Sequence, residues 1–365
     1  MWIKAAIIEE AGQEFQIVDM ELDPPKYGEV LVKVAACGVC HTDDVARNQQ
    51  LPVPLPVVLG HEGCGVVELV GEGVTGFKAG DRVGFSYGYC GECEACRTAM
   101  PYGCTENRRL NFGGVQYDNT KRLHYNGKEV SSFFGQSAFA THAVVHCNNL
   151  IHAPEDVPLE LIGPLGCGIQ TGAGAIFNYL HPRADSAIIV TGCGPVGLSC
   201  IMAAKIAGCS KIIACDIVES RLDLAIELGA THKINSKSVQ DVPSAVREIT
   251  DGLGAHYAVD CTGIGACVRQ SLSCVRAVGI CVVLGATKEL TINVEEELMG
   301  TAKTLAGLVE GLSIPQVFIP KLLSYYHQGK FPFDRLIKTY EFEDINRAFE
   351  DTKSGRVIKA VITMS

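Results

Sequence analysis

Four cysteines fall within fifteen residues, at 90, 93, 96 and 104, in the run Cys90-Gly91-Glu92-Cys93-Glu94-Ala95-Cys96 followed by Cys104. Four thiolates at this spacing close a tetrahedral Zn–S4 site with no open position, so they hold a lobe together and admit no substrate. Two disulfides in so short a span would be strained, and nothing else in the chain looks secreted. A closed structural zinc is the expectation, with the lobe at about residues 88–106.

The remaining composition narrows the class. At 365 residues the chain exceeds what one core usually covers, which predicts two domains. Hydrophobic residues make up 47% and charged residues 20%, as in ordinary globular proteins. A net charge of -10 argues against a nucleic-acid partner or an anionic membrane surface. Glu9 and Glu10 sit where a signal peptide would be apolar, and no apolar run reaches spanning length. Seventeen cysteines, many isolated in apolar segments such as Cys215, Cys261 and Cys281, suggest buried small hydrophobes in a reducing, cytoplasmic setting.

Two rhythms divide the sequence. The first 160 or so residues read as short strands between turns: Ala5–Ile8, Glu29–Val34 and Gly65–Val70, punctuated by Pro24-Pro25 and Gly71-Glu72-Gly73. Residues 113–136 read as an irregular loop. From Ser186 onward, apolar strands alternate with amphipathic helices: strands at Ser186–Thr191, Lys211–Asp216, Tyr257–Asp260 and Ile280–Leu284, helices at Val196–Gly208 and Glu219–Leu228. That pattern predicts an α/β fold with a doubly wound parallel sheet. A helix near Pro315–Tyr326 and a strand at Val357–Ile362 would rejoin the first domain, making the sheet domain an insertion.

Gly192-Cys193-Gly194-Pro195-Val196-Gly197 is a G-x-G-x-x-G that follows a buried strand and opens a helix. Gly192 permits the turn, Gly194 lets backbone approach a pyrophosphate, and Gly197 lets helix and strand pack. Asp216 ends the next strand, placed to accept from both adenosine ribose hydroxyls, which favours NAD over NADP. Arg221 either touches the ribose edge or is a solvated helix residue.

Three further residues have the makings of an open Cys2His zinc site: Cys40 in Cys40-His41-Thr42-Asp43, His61 in Gly60-His61-Glu62-Gly63, and Cys167 in Gly163-Pro164-Leu165-Gly166-Cys167. Spacing alone does not show that they converge. Taken in order with the four-cysteine lobe and the glycine fingerprint, however, these motifs resemble the zinc-dependent medium-chain alcohol dehydrogenases over essentially the whole chain. The runs Ser86–Cys90, Gly163–Gly172, Asp216–Arg221 and Gln328–Phe333 look most like the bacterial aryl (benzyl) alcohol dehydrogenases.

The resemblance implies a Rossmann sheet inserted into a mostly-β GroES-like catalytic domain: residues 1–168 catalytic, 169–308 NAD-binding, 309–365 returning to the catalytic domain. It implies NAD and two zinc ions per chain. Cys40, His61 and Cys167 would hold the catalytic zinc, with Glu62 behind it as an occasional ligand and Asp43 orienting His61. Thr42 would take the substrate's proton. His41 and Lys359 would contact the cofactor pyrophosphate, and Thr171 would pack beside the nicotinamide, with Gly192, Gly194, Pro195, Val196, Gly197, Asp216 and Arg221 completing that site. Leu51, Phe133, Phe134, Ala286 and Leu308 would line the substrate pocket, the two phenylalanines suiting a flat aromatic or allylic group. One departure stands out: some relatives pass the proton on through a histidine three residues after the relay hydroxyl, where this chain has Val45.

The implied reaction is oxidation of a primary aromatic or allylic alcohol, benzyl-type or terpenoid, to its aldehyde with hydride passing to NAD. Aliphatic alcohols or thiol–aldehyde adducts are the near alternative, and a non-catalytic dinucleotide-binding protein the remote one. The resemblance implies a homotetramer, with a homodimer as the alternative.

Overall fold

The computed structural model describes residues 1–364. The chain divides into two compact units. The first comprises Met1–Cys167, Ile314–Pro320 and Asp334–Ser365, and the second Gly168–Ser313 with Lys321–Phe333.

In chain order the first unit supplies β1 (Trp2–Ile8), β2 (Gln16–Leu22), β3 (Glu29–Gly38), β4 (Val57–Val58) and β5 (Gly63–Val70). It continues with β6 (Arg82–Phe85), β7 (Leu123–Tyr125), β8 (Lys128–Val130), β9 (His142–His146) and β10 (Leu150–His152). The second unit holds β11 (Ala187–Thr191), β12 (Lys211–Asp216), β13 (His232–Asn235), β14 (Ala255–Asp260), β15 (Val275–Val283) and β16 (Thr304–Gly307). The chain then returns to the first unit for β17 (Ile337–Glu341) and β18 (Lys359–Thr363).

In the first unit, β4-β1-β2-β7-β8 form one sheet and β10-β6-β5-β3-β18-β17 another, with β9 also paired to β3. Inward side chains of β3, β5, β6 and β9, such as Val32, Val67, Val83 and Val145, meet Phe85, Phe139 and Phe349 in one buried cluster. Antiparallel pairing of β18 with β3 sets Val361 against Gly38 at the strand end that leads to Cys40. Residues 113–136, expected as irregular loop, contain the β7–β8 hairpin. Its turn is Asn126-Gly127, both left-handed with φ of 52° and 73°. Asn-Gly is a strong two-residue hairpin signal, and the polar residues around it obscured the short strands.

The second unit is one parallel sheet in the order β13-β12-β11-β14-β15-β16. Numbered within the unit this is 3-2-1-4-5-6, the doubly wound dinucleotide-binding order with its switch point between the first and fourth strands. Ile189, Ile213, Ala258 and Cys281 on its strands pack against Val246 and Leu272 from flanking helices. The segment 321–333 packs here as well: Tyr325 stacks on Phe177 at 5.5 Å and the Lys321 ammonium lies over the same ring.

Candidate active site and metal centres

At the end of β11 the chain turns through Gly192–Gly194 into the helix Pro195–Ala207. A Cβ added to Gly197 would lie 1.9 Å from the Gly192 carbonyl, so only glycine lets this helix approach the strand. A Cβ added to Gly194 would meet nothing within 4 Å: the turn faces open space at the helix N-terminus. Asp216 holds the turn, its Oδ2 accepting from the Cys193 amide at 2.6 Å while Oδ1 accepts from the amides of Ile217 and Val218. Arg221 follows on the helix Glu219–Leu228 with its Nε buried and unpartnered. Thr171 lies half-buried on the helix Gly168–Gly174. Open backbone, a helix N-terminus and a strand-end acid fit a dinucleotide pyrophosphate and ribose.

The four cysteines of the lobe bring their sulfurs within 4.8 Å of one another. Cys93 Sγ lies 3.5 Å, and Cys90 Sγ 3.9 Å, from Cys96 Sγ. Zn–S bonds of about 2.3 Å in a tetrahedron place sulfurs roughly 3.8 Å apart. None of the seventeen cysteines is in a disulfide. The amides of Glu92 and Cys93 donate to Cys90 Sγ, and that of Cys90 to Cys104 Sγ. Backbone amides pull the Cys93 thiol down to about 6, while burial pushes Cys96 up to about 12. Sulfurs so disposed resist ionising together without a cation among them, and the short helix Glu94–Arg97 and its flanking turns hold them in place.

The second cluster is assembled from three distant segments. β3 leads into Cys40, which caps the short helix His41–Arg47. Asp43 on that helix works in two directions: Oδ2 accepts from the Cys40 amide, and Oδ1 from the Gly60 amide at 3.1 Å and from His61 Nδ1 at 3.0 Å. Gly60 has φ of 91° and packs so closely on Phe139 that a Cβ would lie 2.5 Å from that residue's amide nitrogen. This turn delivers His61 and Glu62, both buried, to the cluster. One ligand atom each from Cys40, His61, Glu62 and Cys167 lies within 4.8 Å of the others.

With Nδ1 on Asp43, His61 turns Nε2 inward, buried and without a partner. An orphaned buried imidazole nitrogen facing two thiols fits a metal ion. A hydrogen bond with Cys167, then the charge of His61 and of Lys359, hold the Cys40 thiol well below the ordinary range despite its burial. Burial pushes the Glu62 carboxyl up, and the Lys359 ammonium beside it pulls back toward the charged form. Thr42 Oγ1 lies 3.6 Å from Cys40 Sγ.

The remaining anticipated residues are spread over both units. Lys359, expected at the pyrophosphate, is buried and donates to Glu62 Oε1 and the Val39 carbonyl. His41 is exposed, and Val45 and Leu51 are half-buried. Phe133 and Phe134 are buried against His61, one edge-on at 5.4 Å, the other stacked at 4.4 Å. In the second unit Ala286 is exposed and Leu308 buried. The sequence reading missed Asn111, whose backbone carbonyl accepts from the Phe134 amide, and Asn149, whose side-chain amide donates to the Phe134 carbonyl, because no local pattern announces such a role.

The family of this chain is shown by comparison. An alcohol dehydrogenase GroES-like domain matches residues 26–155, and a zinc-binding dehydrogenase domain residues 195–323. The chain belongs to the zinc-dependent medium-chain alcohol dehydrogenases and is an oxidoreductase acting on alcohols. It is 41% identical to a geraniol dehydrogenase of Castellaniella defragrans over 366 aligned positions, covering 98% of this chain and 97% of that protein. The benzyl alcohol dehydrogenase structure from Acinetobacter calcoaceticus superposes with a TM-score of 0.96 at 45% identity, over 100% of both chains. An alcohol dehydrogenase zinc-binding domain protein from Burkholderia ambifaria gives 0.96 at 47% identity, over 100% of this chain and 99% of that one.

Proposed function

We propose that this chain oxidises primary aromatic or allylic alcohols, benzyl-type or terpenoid, to aldehydes with NAD as the hydride acceptor. The observation that carries the substrate class is the pair of full-length relatives above 40% identity named for geraniol and for benzyl alcohol. In both alcohols the carbinol carbon adjoins an unsaturated carbon.

Cys40, His61 and Cys167 would hold a zinc ion, with Glu62 as a further ligand in reach, and Cys90, Cys93, Cys96 and Cys104 would hold a second. When bound, zinc supplies Lewis acidity toward the alcohol oxygen and the nicotinamide supplies the hydride acceptor. Asp43 fixes the His61 tautomer that leaves Nε2 free to ligate. Thr42, beside Cys40, receives the substrate's hydroxyl proton. Val45 stands where a relay histidine would, so this position offers no group to carry that proton on toward solvent. Gly192, Gly194, Pro195, Val196 and Gly197 cradle the pyrophosphate, and Asp216 selects NAD by facing the ribose hydroxyls. His41 would contact the pyrophosphate and Thr171 would pack beside the nicotinamide, while Arg221 would touch the ribose edge or serve only as a helix residue. Leu51, Phe133 and Phe134 would shape the substrate pocket from within the first unit.

The first unit serves as the catalytic domain and the second as the NAD-binding domain. Seventeen cysteines without a disulfide support a cytoplasmic site, and among the described residues no helix is long and apolar enough to cross a membrane. The proposed assembly is a homotetramer.

The test is reduction of NAD by benzyl alcohol, geraniol and ethanol side by side, on protein whose zinc has been counted. Fast turnover of the first two with two zincs per chain supports the proposal. Preference for ethanol, or activity confined to thiol–aldehyde adducts, overturns the substrate assignment.

A further inference from the structure

The imidazole of His61 is held by more than its carboxylate. Asp43 Oδ1 fixes Nδ1 at 3.0 Å, but one hydrogen bond fixes a point and leaves the ring free to pivot about it. Phe134 removes that freedom. Its ring lies 4.4 Å from the imidazole, centroid to centroid, with the planes 23° apart. Phe133 meets the imidazole edge-on at 86°, and Phe112 packs edge-on to Phe134 from another side at 86°.

Phe134 reaches this position only through an unusual backbone. Its φ is 54°, in the left-handed region that bulky side chains avoid, and Gly135 and Ser137 beside it are left-handed too, at 57° and 55°. Such a conformation persists where the surroundings over-determine it. The Phe134 amide donates to the Asn111 carbonyl at 2.8 Å, and its carbonyl accepts from Asn149 Nδ2 at 2.9 Å. Both asparagines are buried.

Those asparagines are anchored in turn on the residues that enter the four-cysteine lobe. Asn111 brackets Gly88, accepting from its amide at 2.7 Å and donating to its carbonyl at 3.0 Å. Asn149 Oδ1 accepts from the Tyr117 hydroxyl at 2.8 Å, and the oxygen of that hydroxyl accepts from the Tyr89 amide at 3.1 Å. Cys90 is the next residue.

We propose that Phe134 is a positioning residue for the catalytic metal: its ring, held left-handed by Asn111 and Asn149, sets the plane of the His61 imidazole and so aims Nε2 at the space shared with Cys40 and Cys167. The proposal rests on the zinc reading of that cluster. It gives Phe134 a task separate from contact with substrate, and it makes the ordering of the four-cysteine lobe a support of the other metal site.

The experiment uses the full chain with cobalt in the catalytic position, and reads its visible ligand-field spectrum and the rate at which a chelator removes that metal. Phe134→Leu keeps the apolar volume and loses the flat face. Asn149→Asp keeps the acceptor for Tyr117 and loses the donor to the Phe134 carbonyl. Both should shift the cobalt bands and speed metal release by about 10-fold or more, the usual consequence of losing a group that orients a ligand. Phe77→Leu, at an aromatic stack with His152 that involves neither His61 nor Phe134, should leave spectrum and release rate as in the parent. Parent-like spectra and release rates in Phe134→Leu overturn the proposal. Should that variant fail to fold, an unchanged spectrum in Asn149→Asp does so instead. If cobalt in the parent enters the four-cysteine site alone, the zinc reading itself fails, which a change confined to the variants would not mimic.

Discussion

Lys359 and Glu62 form an ion pair inside the first unit: Lys359 Nζ lies 2.6 Å from Glu62 Oε1 and 2.5 Å from Oε2, and both side chains are almost wholly buried. The two are 297 residues apart in sequence. A buried pair is weak evidence of net stabilisation, but removing one partner strands a charge and lowers stability by about 3–5 kcal/mol. Lys359→Met should therefore unfold at much lower denaturant concentration than the parent. Adding Glu62→Gln should recover most of that loss. Additive losses in the double variant would show that the pair is not coupled.

Cys40→Ala should abolish alcohol oxidation and lower bound zinc by one ion per chain, while NAD binding, followed by nicotinamide fluorescence or calorimetry, stays at the parent's affinity. Parent-like turnover would refute a metal mechanism at this cluster.

In the other unit, Asp216→Ala removes a carboxylate that holds the Cys193, Ile217 and Val218 amides. NAD affinity should fall by 10-fold or more, as about 1.4 kcal/mol or more of lost interaction, and the preference against NADP should narrow. Zinc content should not change. An unchanged ratio of the two cofactors' affinities would remove Asp216 from the ribose site.

His146 supplies a pH dependence. Burial pushes its imidazole down to about 4, and the ring is stacked 3.7 Å from Tyr117 with Nδ1 accepting from the Asn148 amide. An exposed histidine in the unfolded chain titrates near 6.5. Below that pH the unfolded state binds a proton that the folded state refuses, so stability falls as pH drops from about 6.5 to about 4. The loss reaches about 3 kcal/mol by the lower limit. His146→Phe should keep the stack and flatten this slope in denaturant titrations across the interval. A slope identical to the parent's would mean that His146 is not the group responsible.

Chelation should separate the two metal sites. The Cys90 and Cys104 sulfurs accept from amides of the lobe's own turns, so metal loss there should loosen residues 88–106 and lower the unfolding temperature. Metal loss at Cys40, His61 and Cys167 should end turnover first. Thermal melts recorded as zinc leaves one ion at a time check the order.

Much of this was legible in the sequence where the cause is local. A strand, a Gly-x-Gly-x-x-Gly turn and an acid at the next strand end read directly, because each strand of a parallel sheet is a short apolar run and the turn needs glycines at fixed places. The lobe read directly for the same reason: its four ligands lie within fifteen residues. The Cys40–His61–Cys167 cluster was legible only through the family resemblance, since no spacing rule joins segments that meet through β3, the Gly60 turn and the approach to Cys167. The contact of Lys359 with the Glu62 carboxylate was not foreseen, because a pairing across 297 residues leaves no periodic trace. Phe134 was read as pocket lining. Its left-handed backbone, which turns the ring onto His61, is a property of the clamp around it and not of its own residue type.

The order of the strands bears on how the protein is made. β18 is hydrogen-bonded to β3, so the sheet beneath Cys40 is finished by residues synthesised after the whole of the parallel sheet. The parallel sheet of residues 187–307 is complete well before that and is free to fold while the metal-bearing unit still lacks an edge and its buried lysine. Until β18 is made, Glu62 lacks the lysine that faces it in the folded unit.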